Sequence, residues 1–271
     1  MRVKEALNKA SSRLSSKLDN PRREASLLLS KWLGKDTMWL VMNDDAQVDD
    51  YEGYCAWVER RCKDEPYEYI VGCASFYSRE FIVHKGVLIP RPETEILIDK
   101  ALALLEEVAN PRIVEIGVGS GIISIMLALY RKDAKIVAGD ISHQALANAK
   151  ANIERFDLAQ QITLVQASLL DGIEGEFDLL VSNPPYIANQ ERLEDHVLKE
   201  PHNALFGGEK GDELLQEIIV TCKERQIPFL ACEMGFDQQA SMCQTLELAG
   251  AKTYSFYQDL AGHDRGFTAT F

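Results

Sequence analysis

The chain has 271 residues, of which 46% are hydrophobic and 26% are charged, and its formal net charge is −13. That length suits one large domain or two small ones, with enough chain for a substantial core. No apolar run approaches the roughly 18 residues of a membrane span. The stretch from Met1 to Asp19 lacks the apolar segment of a signal peptide, so we expect a soluble cytoplasmic protein.

The charge and the cysteine spacing each disfavour a class of site. Proteins that grip DNA or RNA over a long track usually carry a basic stripe, and this sequence has none. The negative charge is compatible with a basic protein partner, but equally with simple solubility. The six cysteines form no Cys-x-x-Cys pair and lie near no histidine cluster. We therefore predict reduced thiols and no metal site.

The segment up to Pro66 predicts a small bundle of three helices. Leucines at spacings i, i+7 and i+11, starting from Leu7, share one face of a first helix. Asn20 and Pro21 suit the capped start of a second helix, which would end at Gly34. A third helix is expected over 50–63. Its apolar face would consist of Tyr51, Cys55, Val58 and Cys62.

The pattern then changes to strands. Alternating apolar residues over 75–89 predict a β-hairpin that turns near 84–86 or earlier, followed by a helix over 94–108. From Arg112 onward strands and helices alternate, which predicts a parallel sheet with helices on both faces and an antiparallel edge from the last two strands. Strands are expected at 112–117, 135–140, 161–166, 178–182, 228–233, 252–258 and 266–271. Helices are expected at 120–130, 143–156, 212–225 and 238–249.

A glycine-rich turn links the first of these strands to a helix. The turn reads Gly117, Val118, Gly119, Ser120 and Gly121. Its spacing differs from the G-x-G-x-x-G dinucleotide fingerprint, so phosphate cradling is not the favoured use. Glu115, at the end of the strand, suits a cationic ligand better than a pyrophosphate, and S-adenosylmethionine carries an ammonium and a sulfonium group. The alternative is a plain strand-to-helix turn.

Two further polar residues are expected beside that turn. Asp140 ends the next strand at the carboxyl edge, where parallel sheets bind ligands, and its carboxylate can accept hydrogen bonds from ribose hydroxyls. It could also cap the following helix, and the two roles are compatible. Ser168, after the third strand, is predicted to lie near the adenine ring.

The sequence Asn183-Pro184-Pro185-Tyr186 follows a buried strand and is the most informative stretch. The prolines fix φ and leave rigid carbonyls free to accept hydrogen bonds. The Asn183 side-chain oxygen and the Pro184 carbonyl could each accept one N–H of a planar amide and hold its nitrogen in line with the sulfonium methyl. Both acceptors bind more tightly as that nitrogen gains positive charge. Tyr186 offers a flat face for stacking. The alternative is a proline-stiffened loop without chemistry.

This motif resembles that of amino-methyltransferases acting on exocyclic or amide nitrogens. Four further segments are similar, in order and spacing, to the release-factor glutamine methyltransferases, the PrmC/HemK family. They cover residues 65–72, 87–95, 200–208 and 233–238. The resemblance implies an α/β fold: a Rossmann-like, seven-stranded class I methyltransferase domain over 91–271. A helical bundle over 1–73 and a β-hairpin linker over 74–90 would precede it.

The resemblance also implies an activity. S-adenosylmethionine would donate a methyl group, leaving S-adenosylhomocysteine, to the glutamine amide nitrogen in the Gly-Gly-Gln loop of class-one peptide chain release factors. The bundle would help to dock that partner, and we expect neither a membrane nor a nucleic acid to take part. Family match places cofactor contacts on 117–121, Asp140, Ser168 and Asn183, and substrate contacts on 183–186.

Some residues depart from the family pattern or stay open. Position 168 is often a bulky aromatic in relatives, and the hairpin sequence Phe76-Tyr77-Ser78 lacks the glycine often found there. Arg91 and Glu93 could cover the cofactor, form a salt bridge at the domain junction or simply open a helix.

Two other functions remain alternatives. A nucleic-acid adenine or guanine methyltransferase would use the same motif but would need a basic groove and a region that receives a flipped base. A non-catalytic binding protein would keep the fold, although the presence of Asp140, Asn183 and Tyr186 argues against a decayed site.

Overall fold

A computed structural model describes all residues, Met1–Phe271. The chain divides into two compact units, residues 1–73 with 193–199, and residues 74–192 with 200–271. None of its helices combines the length and the apolar character that a bilayer crossing requires.

The first unit contains five helices. They are α1 (Val3–Leu14), α2 (Pro21–Leu33), α3 (Thr37–Met42), α4 (Tyr51–Cys62) and α5 (Tyr67–Val71). Apolar side chains of α1, α2 and α4, among them Leu14, Leu28 and Val58, form its core. The three predicted helices are confirmed. The sequence reading missed α3 and α5 because elements of six and five residues are too short to display a helical period.

Helix α2 begins and ends as predicted, with Asn20 at the N-cap and a left-handed Gly34 at its end, although the Asn20 side chain makes no capping hydrogen bond. The predicted buried face of α4 is wrong. In α4 the buried residues are Tyr54 and Val58, because α4 packs against both α1 and α2 and the Tyr54 hydroxyl donates to the Ala25 carbonyl at 3.0 Å. The other residues of the predicted face are only partly buried, namely Tyr51, Cys55 and Cys62.

A two-stranded hairpin of β1 (Cys73–Phe76) and β2 (Arg79–Ile82) follows. Its turn falls at Tyr77 and Ser78, earlier than the position near 84–86 that the sequence prediction named, although that prediction allowed an earlier turn. Both residues adopt left-handed φ values, 50° and 56°, although neither is glycine.

Seven strands of the second unit form one sheet in the order β10-β11-β9-β6-β3-β4-β5. Their ranges are β3 (Arg112–Ile116), β4 (Lys135–Asp140), β5 (Ile162–Gln166), β6 (Leu179–Ser182), β9 (Phe229–Glu233), β10 (Thr253–Gln258) and β11 (Asp264–Thr270). The strands from β9 to β5 are parallel, and β11 runs antiparallel to both of its neighbours. The predicted parallel sheet and its antiparallel edge are therefore confirmed.

Helices cover both faces of this sheet. Helices α6 (Thr94–Leu104), α7 (Ile122–Tyr130) and α8 (His143–Arg155) pack over one apolar cluster, and α9 (Glu213–Glu224) and α10 (Gln239–Ala249) over another. Successive residues of a strand point to opposite faces. Ile113 accordingly joins the first cluster and Val114 the second. Two very short strands that the sequence reading missed, β7 (Ile187–Ala188) and β8 (Phe206–Gly208), pair beyond the sheet.

Candidate active site

The candidate site is a cleft at the carboxyl ends of the parallel strands. It opens to solvent, and the empty space within it and at its mouth amounts to about 850 Å³. Strand β3 lies between β4 and β6, so the strand order reverses beside it. Open α/β sheets bind ligands at such a switch point.

Half of the residues predicted for the site line this cleft. They are Gly117, Gly119, Asp140, Ser168, Asn183 and Pro185. The others do not form its wall, namely Glu115, Val118, Ser120, Gly121, Pro184 and Tyr186. The sequence reading assigned no role to the other lining residues, which include 86–88, Pro201 and Asn203. For Val87, Leu88, Pro201 and Asn203 the only sequence signal was membership of the family-like segments 87–95 and 200–208.

The glycines of the turn serve two different purposes. Gly117 has a φ of 78°, and a Cβ atom built on it would meet nothing within 4 Å. It therefore keeps the floor of the cleft clear for a ligand. Gly121 has a φ of 85° at the start of α7, and a Cβ there would lie 3.3 Å from the Cβ of Ala149. Gly121 thus lets α7 pack closely against α8.

Asp140 lies beside the glycine turn, as its strand position predicts. Its Oδ2 accepts a hydrogen bond from the Gly119 N–H at 3.0 Å, and its Oδ1 accepts one from the Ser142 N–H at 2.8 Å. The suggestion that Asp140 caps the next helix is wrong, because the Ser142 hydroxyl accepts from Ala145 N at 3.3 Å and caps α8 itself. Burial raises the pKa of Asp140. Each carboxylate oxygen still has a lone pair for a ligand hydroxyl.

Glu115 is fully buried beneath the turn. Its Oε2 accepts hydrogen bonds from the Ser124 N–H, at 3.0 Å, and from the Ser124 hydroxyl. Its Oε1 has no partner within the protein. Burial raises the pKa of Glu115 to about 8. An orphaned buried carboxylate oxygen fits a site for a cationic ligand, which would supply the missing partner.

Asn183 begins a chain of hydrogen bonds that leads away from the cleft. Its Nδ2 donates to Thr94 Oγ1 at 3.1 Å, and the Thr94 hydroxyl donates to Glu233 Oε2 at 2.7 Å. The Tyr186 hydroxyl donates to Glu233 Oε1 at 3.1 Å, so the half-buried Tyr186 ring is held in place. Thr94 and Glu233 both lie in family-like segments of the sequence, but the sequence alone predicts no function for them. An acidic residue ending the buried strand β9 was the available signal.

Of the alternatives for Arg91, the structure shows a salt bridge, but within the second unit. Its guanidinium forms an ion pair with Glu200, whose side chain is buried and also accepts from the Ile89 N–H at 2.9 Å. This pair lies within the second unit and fixes the segment 87–91, part of which lines the cleft. Glu93 occupies the position before α6 and makes no capping hydrogen bond.

Solved structures share this architecture. The catalytic domain of human METTL16 in complex with a MAT2A 3′UTR hairpin matches with a TM-score of 0.59 and 18% identity over 82% of each chain. A second METTL16 methyltransferase-domain structure matches at 0.57 and 21%, over 70% of this chain and 88% of that one. At such identities the likeness establishes the fold alone. The fold, with its cleft at the switch point, is that of the class I methyltransferases.

Sequence comparisons place the chain more narrowly. The PrmC N-terminal domain model matches residues 5–72, and the methyltransferase small domain model matches 94–216. A release factor glutamine methyltransferase of Clostridium acetobutylicum is 36% identical over 98% of this chain and 97% of its own length. A Koribacter versatilis protein of the same name is 37% identical over 87% of each. The chain belongs to the release factor glutamine methyltransferase family.

Longer relatives also match. The bifunctional methyltransferase of Rickettsia typhi is 34% identical over 97% of this chain. The chain spans 56% of the length of that relative.

Proposed function

We propose that this protein methylates the side-chain amide nitrogen of the glutamine in the Gly-Gly-Gln motif of class-one peptide chain release factors. One observation carries the proposal. Asn183 lines the cleft while its Nδ2 is bound to Thr94 behind it, so that Oδ1 remains as the acceptor for a ligand N–H. A hydrogen-bond acceptor at this place suits an amide NH₂ group. The names of the near-full-length relatives support the same substrate.

The cofactor in this proposal is S-adenosylmethionine, which supplies an electrophilic methyl group when bound. The open floor at Gly117 and Gly119 would receive it, and Asp140 would accept hydrogen bonds from its ribose. The unpartnered Oε1 of Glu115, which lies beneath the turn and not in the cleft wall, is the acceptor proposed for its ammonium group. Ser168, on the cleft wall, would lie at the adenine.

The chain's own contribution to catalysis is to hold the substrate amide. Asn183 Oδ1 and the Pro184 carbonyl would each accept one of its N–H bonds, while Pro185 and Tyr186 bound the planar group. As the amide nitrogen gains positive charge its hydrogens become stronger donors, so both acceptors stabilise the transition state more than the ground state. The two prolines keep the loop rigid, so little reorganisation is needed.

The helical bundle is proposed to dock the release factor. Helix α3 exposes three large apolar side chains, Met38, Val41 and Met42, to between 65% and 77%. Clustered exposed apolar residues are typical of protein-binding surfaces. We place this reaction in the cytoplasm, where the six free cysteines would stay reduced, and assign no role to membrane or nucleic acid.

A transfer assay with labelled S-adenosylmethionine tests the proposal. The acceptors are an unmethylated release factor, the same factor with its Gly-Gly-Gln glutamine changed to alanine, and duplex DNA. Label on the first acceptor alone is expected. Label on DNA would indicate a nucleic-acid methyltransferase, and label on the alanine variant would indicate another protein site.

A further inference from the structure

We propose that Thr94 and Glu233 are positioning residues that determine which end of the Asn183 amide faces the substrate. The inference rests on the proposed function, since it concerns how Asn183 receives the substrate nitrogen. Neither residue lines the cleft, and both are buried, with Glu233 2% exposed.

The direction of the hydrogen bonds between Asn183, Thr94 and Glu233 follows from counting the available protons. The Thr94 hydroxyl has one hydrogen. Burial raises the pKa of Glu233, but hydrogen bonds from the Thr94 and Tyr186 hydroxyls favour its ionised form, which can only accept. Thr94 Oγ1 lies 2.7 Å from Glu233 Oε2, so its hydrogen points to the carboxylate. Toward Asn183 the same oxygen can then only accept, and the atom 3.1 Å away must be the Asn183 NH₂ group.

This polarity matters because the two ends of an asparagine amide have nearly the same shape. A flip by half a turn would exchange oxygen for NH₂, and only hydrogen-bond partners decide between the two orientations. In the flipped form Asn183 would present a donor to the NH₂ group of the substrate. The Glu233 carboxylate prevents this flip indirectly, because it fixes the direction in which the Thr94 hydroxyl donates.

Glu233 also holds the far end of the motif. Its second oxygen, Oε1, accepts from the Tyr186 hydroxyl at 3.1 Å. Pro184 and Pro185, which lie between, have no N–H to anchor the segment. One buried carboxylate therefore ties down both ends of the motif, and Gln238 Nε2 adds a bond to the Tyr186 carbonyl at 2.8 Å.

The test compares two substitutions of one residue. Thr94→Val keeps the shape and removes the acceptor, whereas Thr94→Ser keeps the hydroxyl. We expect Thr94→Val to lower kcat for the release factor roughly 10- to 100-fold, the scale of losing one oriented polar contact at a reacting group. Thr94→Ser should retain at least half of kcat. In Thr94→Val the Kd for S-adenosylmethionine should rise by a smaller factor than kcat falls, because Asn183 is only one of several predicted cofactor contacts.

Thr245→Val is the matched control. It deletes a hydroxyl that bonds only within α10, to the Ser241 carbonyl at 3.0 Å, and should leave kcat unchanged. Glu233→Gln is the second variant in case Thr94→Val folds poorly. Its amide NH₂ can donate to Thr94 or to Tyr186, which breaks the polarity on one side, and it should also lower kcat.

Each outcome decides a separate point. A kcat of Thr94→Val equal to that of the wild type overturns the inference alone, as does an equal loss in Thr94→Ser, which would indicate packing by the methyl group. Failure of the wild-type protein to methylate any release factor overturns the proposed function and the inference with it.

Discussion

At the residue scale, Asn183 is proposed to hold the substrate amide and Asp140 to hold the cofactor. Substitutions of these two residues should therefore have different effects on turnover and on cofactor binding. Asn183→Ala removes an acceptor for the amide and is expected to abolish turnover while cofactor binding stays measurable. Asp140→Ala removes a charged acceptor, worth about 1.5–3 kcal/mol, and should weaken cofactor binding at least tenfold. Calorimetric Kd values and single-turnover rates measure the two effects. Near-normal turnover in Asn183→Ala would refute the proposed role of its amide.

Glu115 makes stability depend on pH. Burial raises its pKa from 4.5 to about 8, so between these values the folded state keeps a proton that the unfolded state releases. Its stabilising contribution is full below about pH 4.5 and is lost as the pH rises to about 8, by at most about 1.4 kcal/mol per pH unit.

The prediction concerns the protein without cofactor. The free energy of unfolding, measured with urea from pH 5 to pH 8, should fall less in Glu115→Gln than in the wild type. The difference between the two declines should be roughly 1–3 kcal/mol over this range. Glu106→Gln, at an exposed position of the same unit, is the control and should follow the wild type. Equal slopes for the wild type and Glu115→Gln would contradict the account.

At the element scale, the hairpin turn is strained because Tyr77 and Ser78 both adopt left-handed φ values. A glycine there would relieve about 1–2 kcal/mol of that strain. It would also cost about 0.5–1 kcal/mol of stability, because glycine loses more conformational entropy on folding. Ser78→Gly should therefore stabilise the protein by about 0.5 kcal/mol. Ser75→Gly, in strand β1, should instead destabilise it by a similar amount. A thermal shift in the same direction for both variants would contradict this interpretation.

The long elements were predictable from sequence for a physical reason. Strands such as β3 and helices such as α8 carry apolar patterns long enough to display their period, and each predicted central strand lies within one or two residues of the observed one. A helix of six residues such as α3, which has fewer than two turns, and a strand of two residues such as β7 carry no such pattern. The turn position also depended on strain that composition does not reveal.

The site was predictable only in part. Motif and strand order bring Gly117, Asp140 and Asn183 together, because parallel strands end at the same edge of the sheet. The bond between Thr94 and Glu233 joins residues 139 positions apart, and no local pattern indicates it. Its place in the fold depends on how α6 packs against β9, which is a property of the tertiary structure.

At the scale of the whole molecule, we propose that the bundle docks the release factor and that the cleft carries out the methyl transfer. Replacing Val41 and Met42 by glutamine should raise KM for the full release factor about tenfold, since a few buried apolar anchors dominate protein interfaces. For a short Gly-Gly-Gln peptide, kcat and KM should stay at wild-type values. Glutamine at the exposed Leu248 of α10 is the control. Equal effects on factor and peptide would exclude docking by α3.

Tandem mass spectrometry of a release factor incubated with this protein and S-adenosylmethionine tests the central claim most directly. We predict one added methyl group on the side-chain nitrogen of the Gly-Gly-Gln glutamine, and none when Asn183→Ala replaces the wild-type protein. A methyl group on any other residue, or an unmodified factor with active cofactor binding, would contradict it.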